Sequence, residues 1–464
     1  SESADKKEVK NLYQQLVTKG LQPTNIQVQT TESSSQQIIF PGAIATYKER
    51  ELPIQLLNSQ IGTAPEAVLN NSIQSLEYNI ASTIKKLAVS AKPKIAFIEG
   101  HGELDKYETG DIFTSLSEYY NVGGVTINHK INALQGLKAI IIAKPDSAFD
   151  EKDKFIIDQF IMKGGKVLWL IDPVFASMDS LRNSNETMGI AQKLGIEDQL
   201  FNYGVRINYD LLQDLDAIKI PVKTGNIGNQ PQLSFLPWYF FPLIMPPVNS
   251  PHPIVKNLNV IKFEFVSSID TVGSKNISKT ILLTTSKYAR VLNTPVSISL
   301  DIMRKDPDER LFNNPDLPVA VLLEGKFSSL YKNRIPPEII NDKEIDYRET
   351  SSPNKMIVVS DGDIIVNQVQ ISNGNKYPLP LGYDRYTKET FGNKNFLLNC
   401  IDYLCDDSGL IQVRSRELKL RLLDKTKITK NKLLIQITNT GLPIFIVIIF
   451  AIIQGIIRKK KYTR

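Results

Sequence analysis

The sequence predicts an α/β protein built on a parallel sheet. It predicts a strand-rich insertion within that part, a smaller α/β part ahead of it and one membrane-spanning helix behind it. Three observations carry this reading. Between 91 and 200, short apolar runs alternate with helical stretches: KIAFIEGHG before 107–120, KAIIIAKP before 151–163, and KVLWLIDP before a helix expected near 189–194. Strands buried on both faces read as continuous apolar runs, and their alternation with helices makes the sheet parallel. The pattern resumes in LPVAVLLEGKF, KMIVVSDGDII and a helix over 395–405, after a strand-rich interval at about 200–315. Finally, 433–457 is apolar, and no charge stands between Lys432 and Arg458.

Residues 1–90 open with a helical pattern over 6–19, followed by IQVQT and then QQIIFPGAIATYKERELPIQL, which reads as strand, turn and strand. A long amphipathic helix over 64–88 has Val68, Ile73, Leu76, Ile80, Ile84 and Leu87 near helical spacing. Helix, hairpin and helix suit part of a thioredoxin-like α/β domain. Because the chain starts at Ser1 inside a helical pattern, a preceding signal or first membrane helix is expected. Lys92-Pro93 marks the boundary to the main α/β domain, 91–409. Within it, Gly164-Gly165 reads as a helix C-cap, Ile227-Gly228 as an isolated glycine site, and 326–350 as a surface loop. Residues 410–432 form a basic juxtamembrane stalk with Leu418, Leu420, Leu422 and Leu423 on one face.

A membrane span needs about 20 mostly apolar residues, and 433–457 supplies them. Asn439, Thr440 and Pro443 lie in its first turns, where water or a partner helix satisfies polar groups, so they are candidate partner contacts. The following 458–464, RKKKYTR, reads as a basic cytoplasmic tail that places the preceding body outside the cytoplasm. Net charge is +6, but residues 410–464 carry 13 Lys and Arg against two acids, leaving 42 basic and 47 acidic residues elsewhere. The basicity thus belongs to the membrane-proximal end and to anionic lipid, and nucleic acid is not an expected partner. Cys400 and Cys405, five apart on one expected helix, are too far apart to bridge and read as packing residues.

The strongest chemical candidate is Glu99-Gly100-His101-Gly102-Glu103, at the end of the first α/β strand, where ligands gather. A histidine between two carboxylates can be a general base or metal ligand, but one histidine is weak support. A structural or ligand-contact role for Glu99, His101 and Glu103 is the expectation. Asp172, Asp361 and Asp363 also lie at strand ends, where turn and cap roles are expected ahead of a cation site. No Walker motif or nucleophile elbow follows any strand, and no cofactor is expected. The run 235–247, FLPWYFFPLIMPP, is either core or an exposed surface. Its prolines argue against a regular buried element, which makes Trp238, Tyr239, Phe240 and Phe241 candidate partner contacts.

The ordered set IAFIEGHGE, DQFIMKGGKVLWLIDP, VVSDGDII, GNKNFLLNCIDYL and a terminal apolar helix with a basic end resembles the gliding-motility proteins of the ABC-transporter auxiliary family. The resemblance runs from about residue 6 to the tail. It implies an inner-membrane protein with a periplasmic body, whose sheet is of the class I glutamine-amidotransferase-like type. It also implies a permease subunit (GldF) and an ATPase subunit (GldA) as partners, in service of gliding motility and its linked protein secretion system. No cysteine follows the strand ending at Asp172, so the amidotransferase Cys–His pair has no counterpart here. The expectation is therefore a non-enzymatic, membrane-anchored auxiliary subunit. The alternatives are an extracytoplasmic hydrolase or ligand-binding domain using Glu99, His101 and Glu103, and a glycan or peptide receptor using 235–247.

Overall fold

The structure is a computed structural model describing residues 2–29, 34–57, 61, 63, 65–89, 91–181, 184–227, 230–247, 252–273, 276–336, 342, 345–372, 374–415, 428 and 430–462. It divides into two units, 1–417 and 418–464.

The first unit is organised by a seven-stranded sheet. Its strands in chain order are β1 Lys94–Glu99, β2 Asn121–Thr126, β3 Ala139–Ala143, β4 Lys166–Leu170, β5 Ile277–Thr284, β6 Pro318–Gly325 and β7 Asn354–Val359. Their spatial order is β5-β6-β7-β4-β3-β1-β2. The run β7, β4, β3, β1, β2 is parallel. β6 lies antiparallel between β7 and β5. The expected all-parallel sheet is thus corrected to a mixed one: LPVAVLLEG is as apolar as its neighbours, and apolar character does not encode direction. β2 was not expected either, because its two glycines and exposed edge give NVGGVT no apolar run.

Side chains alternate across the pleat, so the continuous apolar strands feed two cores. Ile141, Leu168, Ile357 and Leu322 join one core with α3 (Gly110–Ser117) and α6 (Asn393–Cys405). Ile140, Ile142, Val167 and Trp169 join the other with α4 (Glu151–Met162) and α5 (Glu197–Tyr203). Cys400 and Cys405 pack unpaired in the first of these. The helix expected over 107–120 is confined to α3. That expected near 189–194 is instead a strand, Glu186–Ala191, paired with Val296–Ser299. Gly164, with φ +95°, ends α4 as its sequence position implied.

Ahead of the sheet lie α1 (Glu2–Thr18), two antiparallel strand pairs (24–29 with 34–39, and 42–47 with 50–55) and α2 (Pro65–Ala88). α2 buries Ser72, Ser75, Tyr78, Ser82, Thr83 and Leu87; of its expected apolar stripe Leu87 is buried, Val68, Ile73 and Leu76 are half-buried, and Ile80 and Ile84 are exposed. Ser72, Ser75 and Thr83 donate to carbonyls one turn back at 2.8–2.9 Å, so this hydroxyl face is satisfied within the helix and can pack closely. Tyr78, Lys86 and Tyr120 converge on Asp402 of α6 at 3.3, 3.1 and 2.8 Å.

The strand-rich interval holds a long antiparallel pair, 217–227 with 230–244. The aromatic–proline run is strand here, a correction to its expected irregularity. Pro231, Pro237 and Pro242 fall in a ladder whose partner strand shifts register twice, which tolerates the missing N–H groups. Trp238, Phe240 and Phe241 fill a third core with Phe265 and Ile298. In the second unit, α7 (Lys432–Tyr462) is one 31-residue helix containing Pro443, with every side chain exposed. The leucines expected on one face of the stalk, and Gly228, lie outside the described residues.

Candidate functional site

From β1 the chain moves to β2 on one side of the sheet and then returns to β3 on the other. The loops after β1 and β3 therefore part at a topological switch point, the place where open α/β sheets bind ligands. Here the two loops are stitched together. The amides of Asp146 and Ser147 donate to the His101 carbonyl at 3.0 and 2.9 Å, and that of Leu104 donates to Ala143 at 3.2 Å. Gly100 and Gly102 have φ of +119° and +73°, and a Cβ at Gly102 would stand 1.5 Å from Asp146 Oδ1. Only glycine allows this approach.

The folded loop brings His101 and Glu103 together and leaves Glu99 apart. The His101 ring lies parallel to Phe149, centroids 3.7 Å apart. Its Nδ1 is 3.3 Å from Glu103 Oε1 and its Nε2 is 3.2 Å from Asp153 Oδ2. Glu103 Oε2 accepts the His101 backbone N–H at 2.7 Å. The Glu103 side chain is 2% exposed and that of His101 9%. Burial by itself lowers the His101 pKa, but the Glu103 and Asp153 carboxylates outweigh it and hold the ring above its ordinary value. The ring thus has a carboxylate at each nitrogen, and both carboxylates favour its protonated form, in which it has no lone pair to act as a base. Glu99 is exposed, with its carboxylate against Gly124 of β2.

Asp153 is the residue that sequence reasoning missed. It sits in the first turn of α4, whose N-cap Asp150 accepts the amides of Lys152 and Asp153 at 2.9 Å. Asp153 Oδ1 accepts the His129 N–H at 2.8 Å, and His129 Nε2 meets Asp150 Oδ2. The sequence signal was present in the D-x-x-D start of an amphipathic helix, a pattern whose ordinary meaning is capping alone.

A second cluster lies past the ends of β3, β4 and β7. Lys144, with φ +53°, pairs with Asp363 and stands 3.3 Å from Asp172. Asp361 accepts the amides of Glu264 and Asp363 at 2.8 and 2.6 Å, and Asp172 accepts that of Gly362. The three aspartates each offer an oxygen within 4.8 Å of the others. Burial pushes the Asp361 carboxyl well above its usual range, and Asp172 beside it adds to the rise. Burial also pushes Asp363 up to about 7 against the opposing pull of Lys144. Asp361 supports its own turn, as its strand-end position implied, whereas Asp172 links to the Gly362 amide of the neighbouring loop and Asp363 pairs with Lys144.

The other residues singled out in the sequence lie elsewhere. Trp238, Tyr239, Phe240 and Phe241 are all buried, at 0%, 6%, 1% and 6% exposure, which leaves them no surface for a partner in this conformation. Asn439, Thr440 and Pro443 are exposed on α7 of the second unit.

A solved structure described as the mmIFT52 N-terminal domain aligns over 68% of this chain and 98% of its own, with 12% identity and a TM-score of 0.38. No curated protein matches the chain significantly. The family described as "ABC-type uncharacterized transport system" matches residues 92–400. That stretch runs from just before β1 into α6, more than half of the sequence, and the chain belongs to this ABC transport-system auxiliary family.

Proposed function

We propose that the protein is a non-enzymatic, membrane-anchored auxiliary subunit of an ABC transporter, serving gliding motility and its linked secretion system. The family match over 92–400 carries the reading. It is supported by α7, which at 1.5 Å per residue is about 46 Å long and exceeds the hydrocarbon thickness of roughly 30 Å. Arg458, Lys459, Lys460 and Lys461 favour a cytoplasmic C-terminus and hence an extracytoplasmic body. The partners are then a permease subunit of the GldF kind and, across the membrane, an ATPase subunit of the GldA kind. The α/β part is read as amidotransferase-like in topology, without that family's nucleophile. An auxiliary subunit needs a rigid body and a tether through which ATP turnover inside is coupled to events outside. Co-purification in detergent tests the proposal: the full-length chain is expected to retain a permease subunit, and a chain that always elutes alone would end it.

A further inference from the structure

We propose that His129, Asp150 and Asp153 form a binding site for a divalent first-row transition metal such as Zn²⁺ or Mn²⁺. Each offers one donor atom, and the three atoms lie within 4.8 Å of one another. Asp150 Oδ1 is committed to two backbone amides and Asp153 Oδ1 to a third, which leaves Oδ2 of each toward the site; Asp150 Oδ2 there meets His129 Nε2 directly, a contact that an ion between them would replace. One imidazole with two carboxylates suits zinc, manganese or ferrous iron, whereas calcium and magnesium prefer all-oxygen sets.

A second observation comes from behind the site. The buried Glu103 Oε1 and His101 Nδ1 have no hydrogen-bond partner, although they face each other at 3.3 Å. Through its other nitrogen His101 faces Asp153 Oδ2 at 3.2 Å. Ligating carboxylates in metal centres are commonly oriented by an outer-shell contact, and His101 stands in that position toward Asp153. The site also lies beside the β1/β3 switch point, on the ligand-binding side of the sheet. His129 and Asp150 are about half exposed, which gives the ion an entry path and leaves open coordination positions. The bound metal would tie the loop after β2 to the start of α4.

The test uses the full-length chain in detergent, tag removed and chelator-treated, titrated with Co²⁺ and with Zn²⁺ by calorimetry and visible absorption. The expected result is one ion per chain, with cobalt ligand-field bands. His129→Ala, with the urea midpoint measured beside it to show that the fold is kept, is expected to weaken binding by more than ten-fold. His101→Asn is expected to weaken it roughly 10- to 100-fold, and Glu99→Gln to leave it unchanged. Absence of cobalt binding in the wild type, or wild-type binding by His129→Ala, would overturn the proposal.

Discussion

Replacing Lys144 by Met isolates the energetics of the buried cluster beyond β3, β4 and β7. Its ammonium pairs with Asp363 and lies 3.3 Å from Asp172. At that distance the Coulomb attraction is about 5 kcal/mol for an effective dielectric of 20. Removing one partner of a buried ion pair costs about 3–5 kcal/mol, because the remaining charge stays uncompensated. The cost depends on pH. Asp172, Asp361 and Asp363 all have folded-state pKa values raised by burial, Asp363 to about 7. A group raised in this way favours the folded state below its unfolded pKa near 3.8, and loses that contribution as pH climbs through the folded value. One pKa unit is worth about 1.4 kcal/mol, so a carboxyl that protonates can relieve most of the penalty in acid. The variant is therefore expected to lose about 3–5 kcal/mol at pH 8 and less than about 2 kcal/mol at pH 5. Urea unfolding followed by fluorescence is a suitable assay, since Trp169 and Trp238 are both fully buried in the first unit. A loss below about 1 kcal/mol at pH 8, or a greater loss at pH 5 than at pH 8, would refute the reasoning.

Other expectations follow from the same structure. Gly102→Ala should destabilise by at least about 2 kcal/mol, since its Cβ meets Asp146 at 1.5 Å; Gly136→Ala, also at positive φ but in open space, should lose only about 1 kcal/mol. Urea titration distinguishes the two. Trp238→Ala should cost about 3–5 kcal/mol as a core cavity, with partner retention at low temperature unchanged. Loss of partner retention without loss of stability would restore the contact reading of 235–247. The wild-type body should lose stability as pH rises from about 4 through 7, because the aspartates named above and His101 bind protons more tightly when folded and together outweigh half-buried His252, which is lowered to about 4 and acts in the opposite sense. Thermal midpoints across that range measure it. Asn439→Leu with Thr440→Leu should lower permease retention while leaving the urea midpoint of the body unaltered, if those polar groups meet a partner helix.

Fold class was legible where burial was extreme. KAIIIA and KVLWL announce central strands because a strand covered on both faces has no polar side to show. Direction was not legible in β6, because the same burial produces the same run in either orientation. Edge strand β2 and the strand Glu186–Ala191 were missed for the opposite reason: both are largely exposed, so no apolar run or period stands out. α2 misled more deeply, since most of its apolar stripe is only partly covered, Ile80 and Ile84 are exposed, and its serines lie on the packed face. The hydroxyls bond to their own helix, and that choice is invisible without the partner surface. At the site, Gly100-His101-Gly102 was found because glycine and histidine at a strand end carry a specific meaning. Asp153 and Lys144 were not, because they come from the turn of a distant helix and the end of another strand, and only the topology brings them in.

The most direct measurement is the composition of the complex that the full-length chain forms in mild detergent, compared with a variant whose 433–457 segment is replaced by an unrelated apolar span. The account predicts stoichiometric recovery of an ABC permease subunit with the native helix and its loss with the replacement, while the body's unfolding midpoint is unchanged. A native chain that inserts in the membrane and elutes without any permease subunit would contradict it.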